Sequence, residues 1–134
     1  MKILVVEDNE VNLSLLQHLF QNWQIKFDTA GNGSEALEKL KNNNYHLILM
    51  DIQMPQMDGY TATQQIRNSL KLNVAIIAMT AHAMAGEREK CLSYGMNEYI
   101  SKPIREEQLM LPLFRRWELW YQASESDRDQ YNLY

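Results

Sequence analysis

The chain of 134 residues has little of what stabilises secreted or membrane-spanning proteins: one cysteine, three prolines, five glycines and no long uninterrupted apolar run. A lone Cys91 cannot form an internal disulfide, which excludes a disulfide scaffold and points to a reducing compartment, the cytoplasm. The first apolar run, Ile3 to Val6, is too short for a signal-peptide core, and none approaches the roughly 20 residues that cross a bilayer, so no membrane association is expected. An excess of positive charge is also missing. Thirteen Lys and Arg stand against 17 Asp and Glu, a formal charge of −4, which argues against direct binding of nucleic acid because phosphate recognition needs a basic face. What is present is 46% apolar residues, spread without an internal repeat or a linker. A chain of this length buries roughly two thirds of its unfolded surface and is expected to form one soluble domain without a staple.

Strand-length apolar runs alternate with longer segments of helical periodicity, the pattern of a parallel α/β sheet. The runs are Ile3 to Val6, a weaker Ile25 to Ala30, Leu47 to Met50, Val74 to Met79 and a short Glu98 to Ser101. The first, third and fourth are apolar on both faces, as central strands covered on both sides are. Between them, Val11, Leu15, Leu16, Leu19 and Phe20 mark one helical stripe, Ala36, Leu37 and Leu40 a second, and Ala62, Ile66 and Leu70 a weaker third. Gly31-Asn32-Gly33-Ser34 reads as a turn followed by a helix cap, Asp58-Gly59 as the opening of the third helix, and Gly95 as a left-handed helix stop. A last helix after Pro103-Ile104 carries Leu109, Leu113, Phe114 and Trp117, with a kink or early break expected at Pro112. The domain is expected over residues 1–120. The polar segment from 121 to 134 is expected to be a frayed tail. Met1 directly before the first strand favours an independent start.

In a doubly wound sheet the loops at the carboxyl ends of the strands converge on one crevice. Strand one ends in Glu7-Asp8, strand three in Asp51, strand four in Thr80, and strand five in Ser101-Lys102-Pro103. Three carboxylates, a hydroxyl and an ammonium are thus brought to one edge. Acids so close repel one another, and Mg²⁺, which takes a few carboxylates, a backbone carbonyl and waters, is the usual remedy. A carboxylate beside such a metal can attack a phosphoryl group and form an acyl phosphate. Lys102 would supply a point charge for the phosphoryl oxygens, and Thr80 a hydroxyl donor.

Four segments together resemble the receiver domain of two-component response regulators: Val5 to Asn9, Leu49 to Gly59, Ala78 to His82 and Tyr99 to Pro103. The phrasing of Met54-Pro55-Gln56-Met57-Asp58-Gly59-Tyr60 and Thr80-Ala81-His82-Ala83-Met84 is most similar to receivers associated with hybrid sensor histidine kinases. The resemblance spans about residues 1 to 120 and implies a flavodoxin-like (βα)5 fold with a five-stranded parallel sheet in the order 2-1-3-4-5. It implies Asp51 as phosphoacceptor, Asp8 and Asp51 as direct Mg²⁺ ligands, Glu7 reaching the metal through water, and the carbonyl of Gln53 as backbone ligand. Thr80 and Lys102 match the pair that holds the phosphoryl oxygens, and Tyr99 the aromatic that turns inward when Thr80 moves. Gln53 and His82 match positions that tune the lifetime of the acyl phosphate. The implied partners are a sensor histidine kinase or histidine phosphotransfer protein upstream and a protein target downstream. The departures are Trp23 where a glycine is common, Pro112, and the tail.

Each residue also has a plainer reading. Glu7 and Asp8 suit a solvated loop before a helix, Asp51 and Lys102 suit a structural ion pair, and Tyr99 suits packing on the fifth strand. His82 lacks a positioned partner for general-base catalysis, and His18 and His46 have no ligand spacing with any other residue. Cys91 and the methionines Met50, Met54, Met57 and Met79 read as packing, and Trp117, Trp120 and Tyr121 as core residues or a partner-binding patch. Two rival functions remain. A phosphohydrolase of the haloacid dehalogenase type would place its nucleophile on the first strand with a second aspartate two residues on, whereas position 53 here is Gln. A receiver-like binding module that is not phosphorylated would usually lack an acid or the lysine, and all are present. The leading expectation is therefore a phosphorylation-controlled switch that catalyses only its own aspartyl phosphorylation and dephosphorylation.

Overall fold

The computed structural model describes residues 1–82 and 84–122, with the side chains at 117 and 119–122 left out. The expectations for Ala83, for the side chains of Trp117, Trp120 and Tyr121, and for the tail from 123 onward lie outside the described residues. In chain order the elements are β1 (Lys2–Val6), α1 (Glu10–Asn22), β2 (Lys26–Ala30), α2 (Gly33–Asn42), β3 (Leu47–Asp51), α3 (Gly59–Asn68), β4 (Ala75–Thr80), α4 (Glu87–Ser93), β5 (Glu98–Ser101) and α5 (Glu106–Gln122). The strands form one five-stranded parallel sheet in the order β2-β1-β3-β4-β5.

β3 and β4 are buried along their whole length and β1 along all but Lys2, so side-chain alternation sorts their apolar residues between two cores. Leu4, Val6, Ile48, Met50, Ile76 and Ala78 pack beneath α2, α3 and α4 with Ala36, Leu40, Ala62, Ile66 and Cys91. Ile3, Val5, Leu47, Leu49, Ile77 and Met79 pack on the opposite face with Leu16, Leu19 and Phe20 of α1 and Leu109 and Leu113 of α5. Met54 and Met57 pack against the first of these cores.

The helices begin where their polar residues can bond to free backbone N–H groups. Asn9 Oδ1 accepts from Val11 and Asn12, Asn32 Oδ1 from Glu35, and Asp58 Oδ1 from Thr61. Gly95, at φ +102°, follows the Tyr94 C-cap of α4 as the left-handed stop.

Three expectations need correction. The α1 stripe is narrower than its sequence: Leu16, Leu19 and Phe20 are buried, but Val11 is 77% and Leu15 39% exposed. At about 100° per residue, Leu16, Leu19 and Phe20 share one arc facing the sheet, whereas Leu15 and Val11 fall progressively farther round the helix. On α5, Phe114 is likewise exposed while Leu109 and Leu113 are buried. No break occurs at Pro112, and α5 runs on to Gln122. The proline removes the N–H that the Gln108 carbonyl would accept, but Leu109 and Leu113, buried on either side of it, keep both halves on the sheet. Trp23, named above as a departure, sits at the C-cap of α1 with φ −88°, and the left-handed residue that follows it is Gln24, at φ +56°.

Candidate functional site

The strand order reverses between β1 and β3, and the crevice at their carboxyl ends holds the acids. Ligand atoms of Glu7, Asp8 and Asp51 lie within 4.8 Å of one another. Asp8 is exposed, whereas Glu7 and Asp51 are only 1% and 2% exposed. Two buried carboxylates so close need compensation. Lys102, brought in by the turn after β5, supplies part of it: its Nζ lies 3.0 Å from Glu7 Oε2 and 3.0 Å from Asp51 Oδ1. Backbone donors supply more, with Asn9 N–H on Glu7 Oε1 at 3.1 Å and Gln53 N–H on Asp51 Oδ1 at 3.1 Å.

The compensation is incomplete. Burial, and after it the charge of Glu7, pushes the Asp51 carboxyl up to about 6 against the opposing pull of Lys102. Burial alone would lower Lys102, but its bonds to Glu7 and Asp51 outweigh this and hold the ammonium above its ordinary value. The site thus has more negative charge than one lysine balances. Its donor set of three carboxylates beside a backbone turn fits a hard divalent cation such as Mg²⁺.

Thr80, buried at the end of β4, accepts the His82 N–H on Oγ1 at 3.0 Å, and its carbonyl accepts the Lys102 N–H at 2.7 Å. The backbone of β4 therefore positions the lysine. Tyr99 pairs in register with Ala78, and Ser101 with Thr80, so Tyr99 and Thr80 are diagonal neighbours on the sheet face that carries α2, α3 and α4. Tyr99 is partly buried against that core, while the side chains of Gln53 and His82 are exposed at the rim. Every residue expected at the site from the four strand ends is thus found on this edge.

Gly59 was legible in the sequence only as a helix opener. Its N–H donates to the Ile52 carbonyl at 2.9 Å, and a Cβ there would lie 2.4 Å from the Asp51 carbonyl oxygen. Only glycine lets α3 start so close to the end of β3. The Lys102–Pro103 peptide bond is cis, and nothing but the Lys-Pro dipeptide could have signalled it. His46 is far from this edge: its Nδ1 accepts the Lys2 N–H at 2.8 Å, and its carbonyl accepts from Arg116 Nε at 3.2 Å. An apolar cavity of about 690 Å³ between Trp23, Ile25 and the α5 residues Met110, Leu111 and Phe114 shares no lining residue with the site. No helix of the described residues is long and apolar enough to cross a membrane.

Known proteins are similar to this chain in sequence and in fold. The chain is 41% identical to hybrid signal transduction histidine kinase B of Dictyostelium discoideum, over 86% of this chain and 6% of that protein. It is 42% identical to the signal transduction histidine-protein kinase BarA of Escherichia coli K12, over 86% of this chain and 13% of that one. It therefore spans a small part of the length of these curated relatives. Among solved structures, the receiver domain of sensor histidine kinase PA1611 from Pseudomonas aeruginosa PAO1, with a magnesium ion coordinated in its active site cleft, is 38% identical. It superposes with a TM-score of 0.76, over 85% of this chain and 94% of that one. The receiver domain of Ssk1 from Saccharomyces cerevisiae, solved with the histidine phosphotransfer protein Ypd1, is 30% identical with a TM-score of 0.86, over 93% of this chain and 94% of the solved chain. The sequence profile of the response regulator receiver domain matches residues 3–113, and the chain belongs to that family.

Proposed function

We propose that Asp51 accepts a phosphoryl group from a phosphohistidine and that the resulting acyl phosphate switches the binding of a downstream protein. The observation that carries this reading is the buried, under-compensated carboxylate of Asp51, set between Glu7, Asp8 and Lys102. An Asp51 carboxylate oxygen attacks phosphorus; the P–O bond forms as the P–N bond to the donor imidazole breaks, and the imidazole nitrogen keeps the electron pair and takes up a proton. Attack of water on the acyl phosphate then releases inorganic phosphate and restores the carboxylate, so the protein acts on its own aspartyl phosphate rather than on a turnover substrate.

Asp8, Asp51 and the Gln53 carbonyl would hold Mg²⁺ directly, with Glu7 reaching it through water. When bound, the ion supplies positive charge against the phosphoryl oxygens. Lys102 places its ammonium on the same oxygens, and the Thr80 hydroxyl, at the end of the adjoining strand, donates to one of them. Reorientation of Thr80 makes room on its sheet face for Tyr99 to turn inward. The exposed side chains of Gln53 and His82 govern the approach of water and hence the lifetime of the acyl phosphate.

The donor is the histidine of a sensor kinase or of a histidine phosphotransfer protein, as the relatives' names and the Ypd1 complex of the Ssk1 receiver suggest. We place the reaction in the cytoplasm, where the lone buried thiol of Cys91 stays reduced. A small phosphodonor such as acetyl phosphate with Mg²⁺, read by intact mass, tests the reading. One phosphoryl group is expected on the wild-type protein, none on Asp51→Asn, and none in excess chelator. A modified Asp51→Asn protein would overturn it.

A further inference from the structure

We propose that Tyr60 carries the state of Asp51 to α4 through the start of α3, by a path separate from Thr80 and Tyr99. This rests on the reading of Asp51 as phosphoacceptor. α4 is seven residues long, too short to hold its own shape in water, and Cys91 is its one buried residue. The helices α1, α2 and α3 each have a side-chain N-cap bond, whereas Gly86 at the start of α4 makes none. Its position therefore depends on tertiary ties.

Tyr60 makes three of them. Its hydroxyl donates to Glu87 Oε1 at 2.7 Å, its ring stacks on Tyr94 with centroids 4.5 Å apart and planes 29° apart, and Lys90 Nζ lies 4.9 Å from the ring centroid. One side chain thus grips the first residue, the middle and the C-cap of α4. Burial, and after it the bond to Glu87, raises the phenol above its ordinary range, so it stays a donor at neutral pH.

The other end of the path lies at the site. Tyr60 directly follows Gly59, whose N–H is bonded to Ile52 and whose Cα leaves no space against the Asp51 carbonyl. Movement of the Asp51–Ile52 backbone displaces Gly59, and Tyr60 with it. A phosphoryl group that prefers one position of this backbone therefore biases the position of α4.

The test combines Tyr60→Phe, which keeps the ring and removes the hydroxyl, with Glu87→Gln, which keeps an acceptor oxygen, and Glu87→Ala, which does not. In the unmodified protein, amide exchange across Glu87–Ser93 is expected to quicken about 3- to 10-fold in Tyr60→Phe and Glu87→Ala, relative to the buried turns of α1. It should stay at the wild-type rate in Glu87→Gln and rise no further in the Tyr60→Phe/Glu87→Ala double variant. With beryllofluoride and Mg²⁺, the α4 amide shifts of Tyr60→Phe should be at most half those of wild type. The Thr80 response and the labelling of Asp51 by acetyl phosphate should persist. A labelled Tyr60→Phe protein with an undiminished α4 response, or with unaltered α4 exchange, overturns this route alone. An unlabelled wild-type protein overturns the phosphoacceptor reading and this route with it.

Discussion

At the scale of single residues, the site is set by what surrounds each group. Gly59 has no room for a methyl group, because the atom that a Cβ would meet at 2.4 Å is a backbone oxygen of β3 that cannot turn aside. Gly59→Ala should therefore cost about 2 kcal/mol or more in urea unfolding and lower the rate of Asp51 labelling, since relief must come from moving β3 or α3. Two other residues oppose each other in their response to pH. Asp51 has its pKa raised from 3.8 to about 6, so it contributes stability that is complete below its unfolded value and is lost as pH rises through 6. His46 has its pKa lowered from 6.5 to about 4, first by burial and then by the charge of the N-terminal amine. Its contribution is present above 6.5 and is lost as pH falls through 4. Asp28, held below its ordinary value first by its bond to Tyr45, titrates beneath this window. In chelator, Asp51→Asn should thus lose about 1–2 kcal/mol between pH 6.5 and 4, allowing for the partial exposure of His46, as read by urea unfolding at each pH. His46→Asn should gain stability over the same range, and the wild-type protein should be flatter than either. The acids, Thr80 and Lys102 were legible in the sequence because each ends an apolar run. The opposition between Asp51 and His46 was not, because it depends on burial at two ends of the sheet.

At the scale of elements, the sequence located the five strands to within a residue and a helix start where a cap marked it, as at Asp58-Gly59, but it ran the third helical stripe on to Leu70, past the end of α3 at Asn68, and gave α4 only its stop at Gly95. It was less informative where several apolar residues crowd one helix. Val11, Leu15, Leu16, Leu19 and Phe20 read as one stripe, and only the geometry of the sheet decides which of them turn inward. Pro112 shows the opposite limit, because local propensity favours a break where packing of Leu109 and Leu113 holds the helix together. Pro112→Ala returns an N–H to the Gln108 carbonyl and should raise stability by about 1–3 kcal/mol. It would be seen as a higher melting temperature, with a slowly exchanging amide at position 112. An unchanged melting temperature would mean that α5 already relaxes around the proline.

At the scale of the whole molecule, a phosphohistidine on another protein can reach Asp51 only if that protein covers the rim of the crevice. Val11 and Leu15 are the exposed apolar residues of α1, which starts two residues after Asp8. A partner covering the rim on this side would rest on these two side chains, and removing their apolar surface from water would favour its binding. Val11→Glu with Leu15→Glu should slow phosphoryl transfer from a histidine phosphotransfer protein at least 10-fold, a loss of about 1.4 kcal/mol or more, while labelling by acetyl phosphate stays at the wild-type rate. Equal slowing with both donors would place the defect in the site itself. The division of the core into two by the sheet has a bearing on traffic through the protein. α1 stands on one side of that wall and α4 on the other. A donor seated on α1 and a reader seated on α4 would not compete for area, so delivery of the phosphoryl group and its reading can overlap in time. With partners so seated, the receiver would work as a relay station with separate entrance and exit rather than as a shuttle that must let go of one partner before meeting the next.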